Sequence, residues 1–259
     1  MRDLNEQQGF TLIELITVVV ILSIVAVIGS QFVVSSTQNY ETTRTRALLV
    51  NTGRQAVEQM TRQLRIALPY SLVTSAGDQC IKFMPIAAGG NYLNSVPDTA
   101  NGAAASANIN VSPFEVEYGS AQLVSIGALS SAELYSANPV SLTSLSGTGA
   151  GSLTLSSPKQ WQRNSINRRF YVLNNPQAFC LVGTQLRFYP NQSTANTNID
   201  LSEDYELMAE NVFAVDSRAP FALSAGSENR NALVTINLAF ANGPERVDLT
   251  QEVMIRNVP

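Results

Sequence analysis

The sequence predicts an α+β protein, with one long N-terminal helix packed on a largely antiparallel β-sheet. Three observations carry that expectation. No proline occurs from Phe10 to Leu68, and Pro69 then stops the pattern. From Tyr70 onward the chain turns to short runs of β-branched and aromatic residues, separated by turn signals such as Asn174-Asn175-Pro176. The last two runs, Ala232–Phe240 and Val247–Ile255, flank Asn242-Gly243-Pro244 and read as a closing β-hairpin. A single helix followed only by strands is the α+β arrangement.

The proline-free stretch has two halves. Leu15 to Val34 is apolar, and as a helix these 20 residues span about 30 Å, the thickness of a bilayer hydrocarbon core. Residues 10–34 are therefore expected to form a transmembrane helix, and residues 35–68 its amphipathic continuation. In the second half Val50, Gly53, Val57, Met60, Leu64 and Ala67 recur at alternating spacings of three and four, one apolar face suited to cover a sheet. Five arginines there (44, 46, 54, 62 and 65) against Glu41 and Glu58 leave a charge of +3. They read either as a solvated face that favours the helix dipole or as contacts to acidic faces of neighbouring subunits.

Within 10–34 the only ionisable side chain is Glu14. A carboxylate at the start of a membrane segment is costly and marks a functional site by default. A cleaved secretory signal is disfavoured, because the apolar run is too long and no small-x-small site follows it promptly. An ordinary signal anchor explains the hydrophobicity but neither Gly9, nor the placement of Glu14, nor the amphipathic helix beyond.

Gly9-Phe10-Thr11-Leu12-Ile13-Glu14 resembles the type III signal of type IV pilins and type II secretion pseudopilins. That motif is a glycine, an N-terminal Phe or Met, further residues ending in Glu, then an apolar helix. The resemblance implies a pilin-like fold and a leader at residues 1–9. It implies cleavage between Gly9 and Phe10 by a prepilin peptidase, and N-methylation of Phe10. Glu14 would pair with the terminal amine of a neighbouring subunit, since two charges that are each expensive in a low-dielectric medium lose much of that cost together. Later segments are similar to the large minor-pilin and J-type pseudopilin branch: Glu206-Leu207-Met208-Ala209-Glu210-Asn211-Val212-Phe213, and Asn167–Val172 followed by Phe179-Cys180. The ending Glu252–Pro259 resembles that of a minor pilin of the mannose-sensitive haemagglutinin (MSHA) pilus.

Composition bounds the rest. The chain has 259 residues, a net charge of −4, no histidine and two lysines, Lys82 and Lys159. Loss of Arg2, Asp3 and Glu6 with the leader would bring the charge to −3. An acidic chain with sparse lysine argues against nucleic acid as a partner. Without histidine a Ser-His-Asp or Cys-His site is impossible, and no P-loop or GxGxxG occurs. The chain therefore reads as no enzyme, with no cofactor. Cys80 and Cys180 show no CxxC or metal spacing; a disulfide is favoured over two buried thiols if both lie in an oxidising compartment.

The densest acidic patch is Asp200, Glu203, Asp204, Glu206 and Glu210. Its oxygen ligands are calcium-like in type but lack the DxDxDG order, so a solvated acidic loop is the simpler reading. Further expected strands are Cys80–Met84, Phe114–Tyr118, Ser152–Leu155, Phe170–Leu173, Phe179–Val182 and Leu186–Tyr189. The Ser-, Ala-, Gly- and Asn-rich stretches near 87–112 and 119–151 read as loop insertions in a β-rich domain, 69–259. Trp161, near Arg163, Arg168 and Arg169, reads as packing at a sheet edge rather than as a recognition surface.

Taken with the resemblance, these features imply a single-pass inner-membrane protein with a periplasmic C-terminal domain, assembled into or at the tip of a surface pilus. Implied partners are the major pilin, other minor pilins, the prepilin peptidase, the inner-membrane assembly platform and membrane lipid. Two other roles fit the same residues. One is a J-type minor pseudopilin of type II secretion, and the other is a membrane-anchored adhesin that binds through the stretch 87–151.

Overall fold

The computed structural model describes residues 10–116, 118–227 and 230–256. The chain separates into two compact units, Met1–Leu48 and Leu49–Pro259. One helix, α1 (Leu12–Arg65), supplies all the regular structure described in the first unit and the opening element of the second. The helix ends three residues before the expected Leu68. Leu68 is extended (φ −65°, ψ 122°), as a residue before proline is pushed to be. Residues 66–68 instead pair with the segment 84–86: the Leu68 amide donates to the Met84 carbonyl (2.9 Å) and the Ile86 amide to the Ile66 carbonyl (2.8 Å).

In the second unit, Gly53, Ala56, Val57, Met60 and Leu64 of α1 are buried: the expected face gains Ala56, Val50 is only partly buried, and Ala67 is buried beyond the helix end. They enter one core with the inner faces of two sheets. The first sheet has the order β1 (Val73–Thr74), β2 (Cys80–Phe83), β9 (Gln177–Val182), β10 (Gln185–Tyr189), β11 (Glu206–Glu210). The second is built on β14 (Ala232–Asn242), which pairs β15 (Glu245–Ile255) along its whole length. Its other edge carries β12 (Val212–Ala214) and β13 (Phe221–Ser224) in succession. The closing hairpin is thus present, with Gly243 at φ 59° in its turn. Every pairing between strands is antiparallel.

Gly53 is needed for close approach: a Cβ there would lie 2.6 Å from Leu249 Cδ1 and 3.0 Å from the Phe240 ring. Phe83, Phe179 and Phe188 stack in the same core with ring centroids 5.5 and 5.1 Å apart. Each fully buried side chain of this size contributes about 1.5–3 kcal/mol.

The stretch between β2 and β9 is not the pair of loop insertions expected near 87–112 and 119–151. It folds as a six-stranded sheet in the order β3 (Ile86–Asn91), β8 (Arg169–Leu173), β5 (Leu123–Ile126), β6 (Leu142–Gly149), β7 (Ser152–Lys159), β4 (Ser106–Asn110). Beyond its two edge strands the chain is joined again. Leu93 N–H donates to Asn110 O (2.8 Å), Ser112 N–H to Asn91 O (2.9 Å), and Tyr92 bridges Val111. This one bridge joins the two edge strands beyond their ends and closes the sheet into a barrel there.

Alternate residues such as Val124, Ile126, Leu153, Leu155, Phe170 and Val172 point inward, together with Tyr92 and Trp161. Trp161 is fully buried in this core rather than packed at a sheet edge. The run Phe114–Tyr118 forms no strand in its described residues. Pro113 lacks a ladder donor, and Phe114 instead packs edge-on against Phe170 at 5.2 Å.

Cys80 and Cys180 face each other across the β2–β9 ladder and form a disulfide, with Cα atoms 4.1 Å apart. The 100-residue separation that it closes contains the whole barrel. On the same strand Lys82 is buried, and its ammonium donates to three carbonyls of one loop: Ser193 (2.7 Å), Asn196 (2.9 Å) and Asn198 (3.0 Å). It also lies 4.7 Å from the centre of the Tyr135 ring. A residue that reads as a surface charge in sequence thus pins the loop after β10.

Two outcomes test these features. Replacing both cysteines by serine removes the cross-link around a 100-residue loop and should cost about 2–5 kcal/mol. The measurement is the thermal midpoint of the full chain with its rate of proteolysis; an unchanged midpoint sinks the stabilising role. Burial pushes the Lys82 ammonium down from 10.5 to about 8. Between those values the unfolded chain holds the extra proton, so folding stability should rise with pH across that window. The stability difference between the parent and Lys82→Met, followed from pH 7 to 11, should grow in the parent's favour above about pH 8. A flat difference would show that the lysine titrates normally.

Candidate functional site

The N-terminal end of α1 is built by local rules. Thr11 stands just before the helix. The Glu14 amide donates to its carbonyl (3.1 Å) and makes a long contact with its Oγ1 (3.4 Å), so Thr11 caps the first turn. Thr11-Leu12-Ile13-Glu14 is the threonine-x-x-glutamate spacing of a capping box. This signal was present in the sequence but absent from the reading of it above. It gives Glu14 a second, purely local compatibility with its position, because a carboxylate also complements the positive end of the helix dipole.

The described side chains of this segment are exposed. Phe10 is 85% exposed, and the large apolar side chains from Leu12 to Val34 are all at least half exposed. The best 18-residue window has a mean hydropathy of 2.8 with none of its residues buried. Among the described residues α1 is long and apolar enough to cross a membrane. A helix that is apolar on all sides needs lipid or other helices around it.

Its hydroxyls are compatible with such surroundings, because they are satisfied within the helix. Thr17 donates to the Ile13 and Glu14 carbonyls, Ser23 to Val19, Ser30 to Val27 and Thr37 to Val33, at 2.7–3.0 Å. The Glu14 carboxylate differs: among the described residues it makes no hydrogen bond or ion pair. A charge left alone in an apolar segment calls for a partner from outside the chain.

The remaining expected site residues fall elsewhere. Gly9, the residue before the expected cleavage position, lies outside the described residues, as do Asn257–Pro259 of the C-terminal resemblance. Asp200, Glu203, Asp204 and Glu206 do not converge. Among the described residues no group of three or more His, Cys, Asp or Glu side chains is placed to hold a metal ion. Asp200 Oδ1 instead accepts from the Ser202 amide (2.9 Å) and hydroxyl (2.6 Å), which holds its carboxyl below the usual carboxylate range. Glu206 and Glu210 end up at the two ends of β11.

Asn211, central to the Glu-Asn-Val segment, has a clear local reason. It adopts φ 57° between β11 and β12, where the chain passes from the first sheet to the second. Asparagine tolerates that conformation better than most residues. Arg163, two residues after Trp161, points to Glu133, at 2.7 Å, in keeping with the reading that Trp161 and its arginines form no recognition surface.

Residues 4–30 match a family model described as the prokaryotic N-terminal methylation motif. The match takes in Gly9, Phe10, Glu14 and the first part of α1. No curated protein and no solved structure matches the chain. The motif supports a pilin-type protein, with a role of the type IV pilin or pseudopilin kind, and it implies interaction with other pilins and with the prepilin peptidase. Together with the exposed apolar helix near the N-terminus, it fits membrane anchoring and pilus assembly.

Proposed function

We propose that the chain is a minor type IV pilin of the MSHA type, similar to the MSHA pilus biogenesis protein MshO, and has no catalytic role. It is cut between Gly9 and Phe10, N-methylated on Phe10, and held in the inner membrane with its C-terminal domain in the periplasm. It then joins other minor pilins in a complex that primes filament assembly or forms part of the tip. One observation carries the reading most: an unpartnered carboxylate, Glu14, at the capped start of an uncovered apolar helix, inside a methylation motif. In a filament the amine of a neighbouring Phe10 would supply the missing charge, and the uncovered helices would bury one another. Membrane lipid holds the helix before assembly, and the inner-membrane assembly platform draws the subunit out.

The J-type pseudopilin of type II secretion is the second reading, favoured by the Glu206–Phe213 segment and its Asn211 kink between the sheets. Deletion of the gene separates the two. Loss of pili supports the first, and loss of secreted proteins with normal pili supports the second. An adhesin reading now has a defined module, the barrel between β2 and β9. Removing that barrel should leave pili and abolish attachment if adhesion is its role.

Gly9→Leu is expected to block cleavage when the chain is co-expressed with a prepilin peptidase, so that its intact mass keeps the leader. Cleavage of that variant at the parent's rate would remove the peptidase from the scheme. Glu14→Val should still be cleaved, yet enter filaments about tenfold less or worse, because it leaves a buried amine without its counter-charge. Immunoblotting of sheared filaments reads this outcome, and normal incorporation would refute the pairing.

A further inference from the structure

Strand alternation places Ser125 of β5 and Arg169 and Tyr171 of β8 on the outer wall of the barrel, since their neighbours Val124, Ile126, Phe170 and Val172 fill its interior. Leu68, Pro69 and Tyr70 cross in front of that wall. The loops 127–129 and 163–166 form the sides of a cavity of about 130 Å³. Its walls are mainly apolar, and cavities of about 150 Å³ accept a benzene-sized group, so one large apolar side chain fits.

The sides are rigid. Arg163 donates to the Gly127 carbonyl (2.8 Å) and to both oxygens of Glu133 (2.9 and 2.7 Å), and Glu133 also accepts from the Ser141 hydroxyl (2.8 Å). Gly127 has φ 64°, and a Cβ there would meet the Arg163 carbonyl at 2.8 Å. At the mouth Leu129 is 40% and Ile166 86% exposed. Glu133 neutralises Arg163, which leaves Arg169 as the positive charge on the cavity lining, while Arg168 turns away to donate to the Leu93 carbonyl (2.9 Å).

The same chain displays the complement. Asp200-Leu201-Ser202-Glu203-Asp204-Tyr205-Glu206-Leu207 carries four carboxylates around exposed Leu201 (45%), Tyr205 (43%) and Leu207 (49%). The turn at Leu201 is preformed: Gln192 bonds both the amide (2.7 Å) and the carbonyl (3.0 Å) of Asp200, and Asp200 bonds Ser202. Among the described residues no hydrogen bond or ion pair joins the acidic turn to the basic rim within one chain. We propose that the Leu201 turn of one copy seats in the cavity beside Arg169 of a second copy, with Glu203 and Asp204 facing Arg169.

Because the two patches differ, the contact is heterologous, the kind that propagates along an assembly rather than closing a two-fold pair. It is small, and it gains from copies concentrated in one membrane, where the second contact is effectively intramolecular. It goes beyond the pilin reading and needs neither cleavage nor Glu14.

The test uses full-length chains with two different tags, one carrying Ile166→Cys and the other Leu201→Cys, co-expressed in a membrane and treated with a short bismaleimide. A cross-link between the two tags is expected only when both variants are present. Adding Arg169→Glu should cut it about fivefold or more, and adding Glu203→Arg with Asp204→Arg on the other chain should restore it. No cross-link, Ile166→Cys chains linking to one another, or a yield indifferent to Arg169→Glu would each overturn the proposal. Repeating the experiment in a Glu14→Val background keeps the two readings apart. The cross-link should persist there, and its failure in the parent leaves the pilin reading standing.

Discussion

The pairing of β2 with β9 is the constraint on which the C-terminal unit depends. Four residues of β2 serve three different purposes. Ile81 and Phe83 turn toward α1 and the main core, Lys82 turns the other way to hold the loop 193–198, and Cys80 is tied covalently to its partner strand. The barrel then occupies the connection between two strands that would otherwise form a hairpin. Without it the first sheet would be a simple meander, β1-β2-β9-β10-β11. A large insertion at such a point costs little loop entropy, because closure penalties grow slowly with length, and the disulfide holds the neck shut.

Legibility followed the strength of each local signal. α1 was legible because proline exclusion and a three-four apolar spacing run over many turns. The final hairpin was legible because long alternating strands flank Asn242-Gly243-Pro244. The barrel was not. Its strands carry serine, threonine, glycine and asparagine on the outer face, as in Leu142–Gly149, with burial at only a few positions. Such runs lack the β-branched density that marks a strand, and their inward residues find partners far away in sequence. Val124 pairs with Val172, for instance, and Ile109 with Leu153.

The candidate site divides in the same way. Gly9, Phe10 and Glu14 form a contiguous motif whose chemistry is visible without a structure. Lys82 and the cavity beside Arg169 arise only when separated segments meet. Leu68 comes from the end of the helix region, Ser125 from the middle of the barrel and Tyr171 from its last strand. Trp161 was legible as a packing residue rather than a recognition surface, but not where it packs: the indole lies in the barrel core and not at a sheet edge, while Arg163 turns to Glu133.

The two surfaces with unmet requirements obey different physics. Around Glu14 the demand is set by a low-dielectric medium, where an unpartnered carboxylate and uncovered apolar side chains are both resolved by packing against like helices. Around Arg169 the demand is set in water, where weak charge complementarity selects an orientation but adds little affinity by itself. A subunit that carried only the first would pack by its helix with rotation poorly specified. Leu201 entering a cavity sized for one side chain would specify that rotation, because a one-residue anchor in a rigid pocket tolerates little displacement. Strength would then come from the helix and register from the domain, with the barrel's outer wall contributing to that register through Arg169 if the proposed contact forms.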